Sequence, residues 1–281
     1  MNDNWKSYVW DYKDVWAFDE KLRHGMPPLI ISVAITGGAA GKELNPNLPE
    51  TPEEQADSTY ECYKAGASVV HIHARDPKLG YADSSADPED YLKVNKLIRE
   101  RCPDIIINNT TGAGFDIPRE KAILSIKAKP ELASLNCGPL VMQGTLKKRK
   151  PPLSGRDEDL RLDNKIIPIT YAETELFATE MKKAGVKPEL EVYNIHMFHL
   201  VKNLIRKGLI EKPYFFSLIL GGTNSIPASP LNLVAMVAAL PQDSIWQAIG
   251  VGARQYPIIT MSIIMGGHAR VGFEDNIYLN R

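Results

Sequence analysis

His71-Ile72-His73 closes a short apolar, β-branched run, Ser68-Val69-Val70, and Arg75-Asp76-Pro77 follows at once. Bounded by Gly66 and Pro77, such a run reads as a buried strand. Side chains alternate faces along a strand, so both imidazoles point one way and Ile72 the other. Two imidazoles together at the carboxyl end of a strand make half of a metal site. The competing reading is a hydrogen-bonded histidine pair packed at a strand end.

Strand-like runs beginning at Leu29, Ser68, Asp104, Glu131, Glu189, Tyr214, Ser244 and His268 alternate with amphipathic stretches such as Thr51–Lys64, Pro88–Arg101, Pro118–Lys127, Tyr171–Lys183 and Met197–Lys207. Thr51, Pro52 and Glu54 have the order of an N-cap, a first-turn proline and a capping-box acid. Alternation of this kind gives a parallel sheet. Eight strands in roughly 250 residues is the size of a (β/α)8 (TIM) barrel. The rival doubly wound sheet lacks its GxGxxG turn, because the first strand runs into Thr36-Gly37-Gly38-Ala39-Ala40-Gly41. The expected organisation is an N-terminal arm over residues 1–28 and a barrel over 29–281. A long insertion, about 138–168, carries the basic cluster Lys147–Lys150 and reads as a lid or binding loop, or else as a solvated excursion. Too few residues follow the eighth strand to form an eighth helix.

Barrel active sites lie at the carboxyl ends of the strands. Those ends offer Asn109, Thr110 and Gly112 after the third strand, Asn136 on the fourth, and Glu191 and Tyr193 on the fifth, with His196 just beyond. Gly252 and Arg254 follow the seventh strand, where such barrels often hold phosphate. A tight turn would equally explain those glycines. Arg270, Glu274 and Asp275 end the chain's last strand segment. Glu274 is the leading third metal ligand, with His196 and Glu191 as competitors. His196 and His199, three apart, also read as a helix-start cap and a packing residue. Asp275 is a candidate general base if Arg270 keeps it ionised and oriented; without a metal beside them the two make a structural salt bridge.

Composition narrows the class. The 281 residues are 44% apolar and 24% charged with a formal charge of -1, which offers no broad attraction for nucleic acid or anionic lipid. Three separated cysteines point to a reducing, cytoplasmic setting rather than a disulfide framework. No stretch approaches the roughly 20 apolar residues of a membrane span. Six aromatics in the arm, from Trp5 to Phe18, suggest that it clasps a neighbouring subunit of a homo-oligomer.

Taken together, the strand ends resemble those of the β-keto acid cleavage enzymes. The matching stretches are Thr36-Gly37-Gly38, KELNPNLPETPEE (42–54), VVHIHARDP (69–77), NTTG (109–112), ASLNCG (133–138), PELEVYN (188–194) and MGGHARVGFEDNIYL (265–279). They occur in order across about residues 29 to 281. The resemblance implies a (β/α)8 barrel with one zinc ion per chain on His71, His73 and Glu274, acetyl-CoA as co-substrate, and a tetramer. It further implies Asp275 as base, oriented by Arg270, and Thr110 bonded to the substrate carboxylate or enolate. Asn109, Gly112, Asn136, Gly252 and Arg254 are the candidate substrate contacts. Departures fall at Ala39 or Ala40, where the lysine-fermentation type has a glutamate for its substrate's amino group, at Asn136 in place of threonine, after Gly138, and in the missing tail. They imply an acyl group other than an aminated one. An amidohydrolase-like metal barrel carries HxH on its first strand instead, and a ligand-binding barrel without catalysis is the remaining alternative.

Overall fold

The computed structural model describes residues 3–112, 114 and 117–278. Eight strands form one closed parallel barrel in sequence order: β1 (Ile31–Ala34), β2 (Val69–Ile72), β3 (Ile106–Asn109), β4 (Leu132–Asn136), β5 (Lys187–Val192), β6 (Tyr214–Leu220), β7 (Ser244–Gly250) and β8 (His268–Val271). The chain is a (β/α)8 barrel. Each predicted strand start lies within two residues of an observed one. The ring closes where Ser32 pairs with Arg270 and Val33 with Val271.

Helices α2 (Pro52–Lys64), α3 (Pro88–Arg101), α4 (Arg119–Ala122), α5 (Tyr171–Ala184), α6 (Phe198–Arg206), α7 (Pro230–Ala238) and α8 (Gln255–Ile264) pack outside the ring, after α1 (Val15–His24) in the arm. The capping box is formed in both directions: Thr51 Oγ1 accepts from the Glu54 N–H at 3.2 Å, and Glu54 accepts from the Thr51 N–H at 3.1 Å. Among the described residues no helix follows β8. The outer face of β1 and β8 between α2 and α8 is instead a groove lined by Val33, Ile35, Cys62 and Val271 and flanked by Phe273 and Tyr278.

The arm does not cover that groove. Trp5, Tyr8 and Val9 pack on Val69, Leu132, Phe215 and Ile245 at the amino ends of the strands, so the arm plugs the bottom of its own barrel. Trp10 is buried against Gly266 and stacks edge-on with Phe18 at 5.2 Å. Of the aromatics expected to clasp a neighbour, these four and Tyr12, whose hydroxyl donates to Val234 O at 3.3 Å, are engaged within the chain; Trp16 is 84% exposed.

The insertion after β4 is an ordered hairpin of two short antiparallel ladders, Leu140–Val141 with Ile166–Ile167 and Thr145–Leu146 with Leu160–Arg161. Its basic cluster is partly neutralised within the fold. Lys147 pairs with Asp159 at 2.9 Å. Arg149 is buried, 2.6 Å from Glu50 and 3.6 Å from Glu43 of the loop between β1 and α2, and Arg156 also reaches Glu43 at 3.2 Å. The hairpin is thereby bolted across the carboxyl end of the barrel.

Candidate metal centre

The pleat of β2 turns His71 inward, and His73 follows it onto the same side one residue past the strand end; their rings lie 5.1 Å apart. Glu274 reaches them from across the β1–β8 seam. Gly272, at φ +136°, bends the chain there, and a Cβ on it would collide with Ala34 of β1. The Glu274 N–H then donates to Ala34 O at 3.2 Å. Glu274 lies so close over Gly37 that a side chain there would strike its Cγ. That close approach is why a glycine stands at position 37, just past β1.

Among the described residues, His71, His73 and Glu274 form the one group able to hold a metal ion, with all ligand atoms within 4.8 Å of one another. His71 Nε2 lies 3.6 Å and His73 Nε2 3.4 Å from the Glu274 oxygens. Those separations are long for hydrogen bonds. They match the edge of about 3.3 Å expected between ligands of a tetrahedral ion bonded at about 2.0–2.1 Å. Glu274 Oε2 is buried with no hydrogen-bond partner, a cost that an ion would remove. Burial, then the charge of Arg270, keeps the His71 pKa well below the usual imidazole range. Burial opposes ionisation of Glu274, but Arg270, His73 and His71 hold its carboxyl well below the usual range. A neutral imidazole and an ionised carboxylate are the forms a metal takes. The donor set fits a divalent cation such as zinc.

Support comes from beneath. His73 Nδ1 lies 3.2 Å from Ser84 Oγ. His71 Nδ1 is 3.9 Å from Glu189, which is fully buried inside the barrel. Glu189 accepts hydrogen bonds from Asn108 (2.5 Å), Gln247 (3.0 Å) and Ser217, and sits 4.0 Å from Arg270. Arg270 grips Asp275 through Nε at 3.1 Å and a terminal nitrogen at 3.3 Å, and touches Glu274 at 3.1 Å and Glu191 at 3.5 Å. Burial disfavours its charge, but Asp275, Glu274, Glu189 and Glu191 together keep Arg270 cationic. Burial lifts Asp275 to about 6 despite Arg270. Burial and the neighbouring Glu189 charge push Glu191 to about 8.

A cavity of about 180 Å³ opens over the three ligands, lined also by Thr110, Gly112, Asn136, Glu191 and Tyr193. Thr110 Oγ1 accepts from the Gly112 N–H at 2.8 Å, and Asn136 accepts from the Tyr193 hydroxyl at 3.0 Å. Arg270 and Asp275 stand behind Glu274, off the cavity wall. Three of the candidate substrate contacts do not reach it either. Asn109 faces the helix layer and donates to Ser125 O at 3.1 Å, because the pleat sends Asn108 inward instead. The Gly252 N–H is taken by Asp275 O at 2.8 Å, and Arg254 is exposed on the following turn. His196 and His199 are also exposed, and neither belongs to the metal-ligand cluster. Ser84, Glu189 and Arg119 were not singled out from the sequence. Neither were the hairpin residues Leu140, Met142, Ile167 and Ile169, which line the same cavity.

A closed parallel barrel with a two-histidine, one-carboxylate cluster at the carboxyl ends of its strands has the architecture of a barrel enzyme. The family model described as beta-keto acid cleavage enzyme matches residues 28–281, and the chain belongs to that family. It is 35% identical to the 3-keto-5-aminohexanoate cleavage enzyme of Acetoanaerobium sticklandii, over 91% of this chain and 86% of the relative. It is 30% identical to the 3-oxoadipate:acetyl-CoA acetyltransferase of Cupriavidus necator, over 90% of this chain and 82% of the relative. Among solved structures, apo ObcA superposes with a TM-score of 0.63 at 21% identity, over 84% of this chain and 57% of ObcA, a likeness of fold. The chain is thus an enzyme of carbon–carbon bond cleavage.

Proposed function

We propose that this chain exchanges acyl groups between a β-keto acid and acetyl-CoA, giving acetoacetate and a new acyl-CoA, with a zinc ion on His71, His73 and Glu274. The observation that carries this reading is the paired histidines and the buried, unpartnered Glu274 oxygen facing one small cavity, in a chain of this family. Zinc there supplies Lewis acidity toward the substrate's oxygens.

The chain's own residues do the rest. Thr110 and Asn136 orient the β-keto acid on the cavity wall. Asp275, aligned by the Arg270 clasp behind Glu274, takes the proton from the carbon between the two carbonyl groups through one intervening water. That carbon attacks the acetyl thioester and the CoA thiolate leaves. The thiolate attacks the original ketone, the old carbon–carbon bond breaks, and Asp275 returns its proton to the released acetoacetate. The enzyme is read as a cytoplasmic homo-oligomer.

The test is metal content of wild type beside His71→Ala and Glu274→Ala, followed by acetoacetate formation from β-keto acids and acetyl-CoA. One zinc per chain in wild type, lost in both variants together with acetoacetate formation, supports the reading. A zinc-supplied wild type that binds no metal, or forms no acyl-CoA, overturns it.

A further inference from the structure

The hairpin ladder has two faces. Leu140 stands opposite Ile167, and Val141 opposite Ile166. Val141 and Ile166 are 59% and 62% exposed, so the alternation turns Leu140 and Ile167 to the other side, where both line the cavity. Met142 extends the ladder through its N–H to Lys165 O at 3.0 Å, and Ile169 folds back on Ile167 at 3.0 Å. Met142 and Ile169 line the same cavity. Four aliphatic side chains from one hairpin therefore form a wall facing the site, while the histidines, Ser84, Thr110 and Asn136 form its polar part.

The wall offers nothing for a charged tail. Arg119 is the one cation of the described lining residues apart from the histidines, and it is spent: it donates to Glu173 at 2.9 Å and 2.8 Å and to Thr111 O at 3.4 Å. The acid Glu191 is turned to Arg270 and Tyr193. A carboxylate or ammonium against the four aliphatics would lose water without gaining a partner. The wall is also held firmly, since Arg149 and Arg156 tie the hairpin to Glu43 and Glu50. The volume of about 180 Å³ is below the roughly 300–1,000 Å³ of sites for drug-sized ligands, which suits one small acid.

We propose that the β-keto acid taken by this site carries a short, uncharged, apolar acyl tail that packs on Leu140, Met142, Ile167 and Ile169. The inference rests on reading the site as one for β-keto acids.

The test is calorimetric binding of 3-oxohexanoate, 3-oxoadipate and 3-keto-5-aminohexanoate to the zinc-loaded protein without acetyl-CoA, so that no turnover is needed. Wild type is expected to bind 3-oxohexanoate at least about tenfold more tightly than either charged acid. Ile167→Lys and Met142→Lys are expected to reverse the order between 3-oxohexanoate and 3-oxoadipate, an inversion that loss of hairpin packing alone would not produce. Should Ile167→Lys fail to fold, the half-buried Met142 carries the same comparison. Tighter binding of a charged acid by wild type, or an unchanged ratio in a folded lysine variant, overturns the assignment. Binding of 3-oxohexanoate without acyl-CoA formation on adding acetyl-CoA sinks the exchange reaction and leaves the tail assignment standing. Binding of none of the three acids overturns both.

Discussion

Ser84 Oγ lies 3.2 Å from Nδ1 of His73, whose other ring nitrogen faces Glu274 at 3.4 Å. With a metal at Nε2, Nδ1 carries the proton and donates it to the hydroxyl, which fixes the tautomer and the ring plane. Ser84→Ala is expected to weaken zinc binding by about tenfold while leaving stability nearly unchanged. Competition against a chromophoric chelator reads this directly, and an unaltered affinity would reduce Ser84 to a lining residue.

Two ion pairs in the hairpin predict opposite outcomes. Arg149 and Glu50 have side chains only 1% and 4% exposed. Arg149→Met leaves the buried Glu50 carboxylate without its paired cation, while Arg156 still holds Glu43, and is expected to cost about 3 kcal/mol or more. Lys147 and Asp159 are solvated, and Lys147→Ala should cost under about 1 kcal/mol. Urea unfolding of the two variants side by side checks the contrast; similar midpoints would mean the hairpin is not held by the buried pair.

His268 sets a pH limit on stability. Burial depresses its pKa to about 4, and its Nδ1 accepts from the Ile30 N–H at 3.2 Å. In the unfolded chain it titrates near the ordinary value of about 6.5. Between those values the unfolded chain binds a proton that the native one refuses. The contribution is therefore intact above about pH 6.5 and falls as pH drops toward 4, by up to about 3 kcal/mol. His268→Asn keeps an acceptor for Ile30 and lacks the titration, so the stability gap between wild type and variant should change across this window. A gap independent of pH would refute the assignment.

Trp10 fills the space beside Gly266, at φ +78°, with Lys21 over its ring at 4.9 Å. Trp10→Ala should destabilise by about 3 kcal/mol through the cavity it leaves. Zinc affinity should not change, because the arm closes the end of the barrel opposite the metal ligands. Thermal unfolding and metal titration on one sample separate the two effects.

The parts legible in the sequence were those governed by local pattern. All eight strand starts followed from apolar runs with punctuation, and the capping box at Thr51 from residue types alone. His71 and His73 share a face by strand alternation, and closure of the ring brings the end of the last strand, with Glu274, beside the first. Ser84 could not be read, since nothing local tells that a loop serine returns under a histidine. Asn109 shows a finer limit: Asn108 and Asn109 are adjacent amides, and only the strand register decides which one faces Glu189. The hairpin was visible as length, but its inner apolar face depends on a two-residue ladder joining positions 140 and 167.

The plug at the barrel floor bears on the order of assembly. Tyr8 rests on His268 at 5.7 Å and Trp10 on Gly266, contacts that join nearly opposite ends of the sequence. Loop closure over such a span is entropically the most costly in the chain, and topology of this kind slows folding. Sealing the floor requires Gly266 and His268 to be in place, so the packing of Trp10 reports the joining of the two ends of the chain.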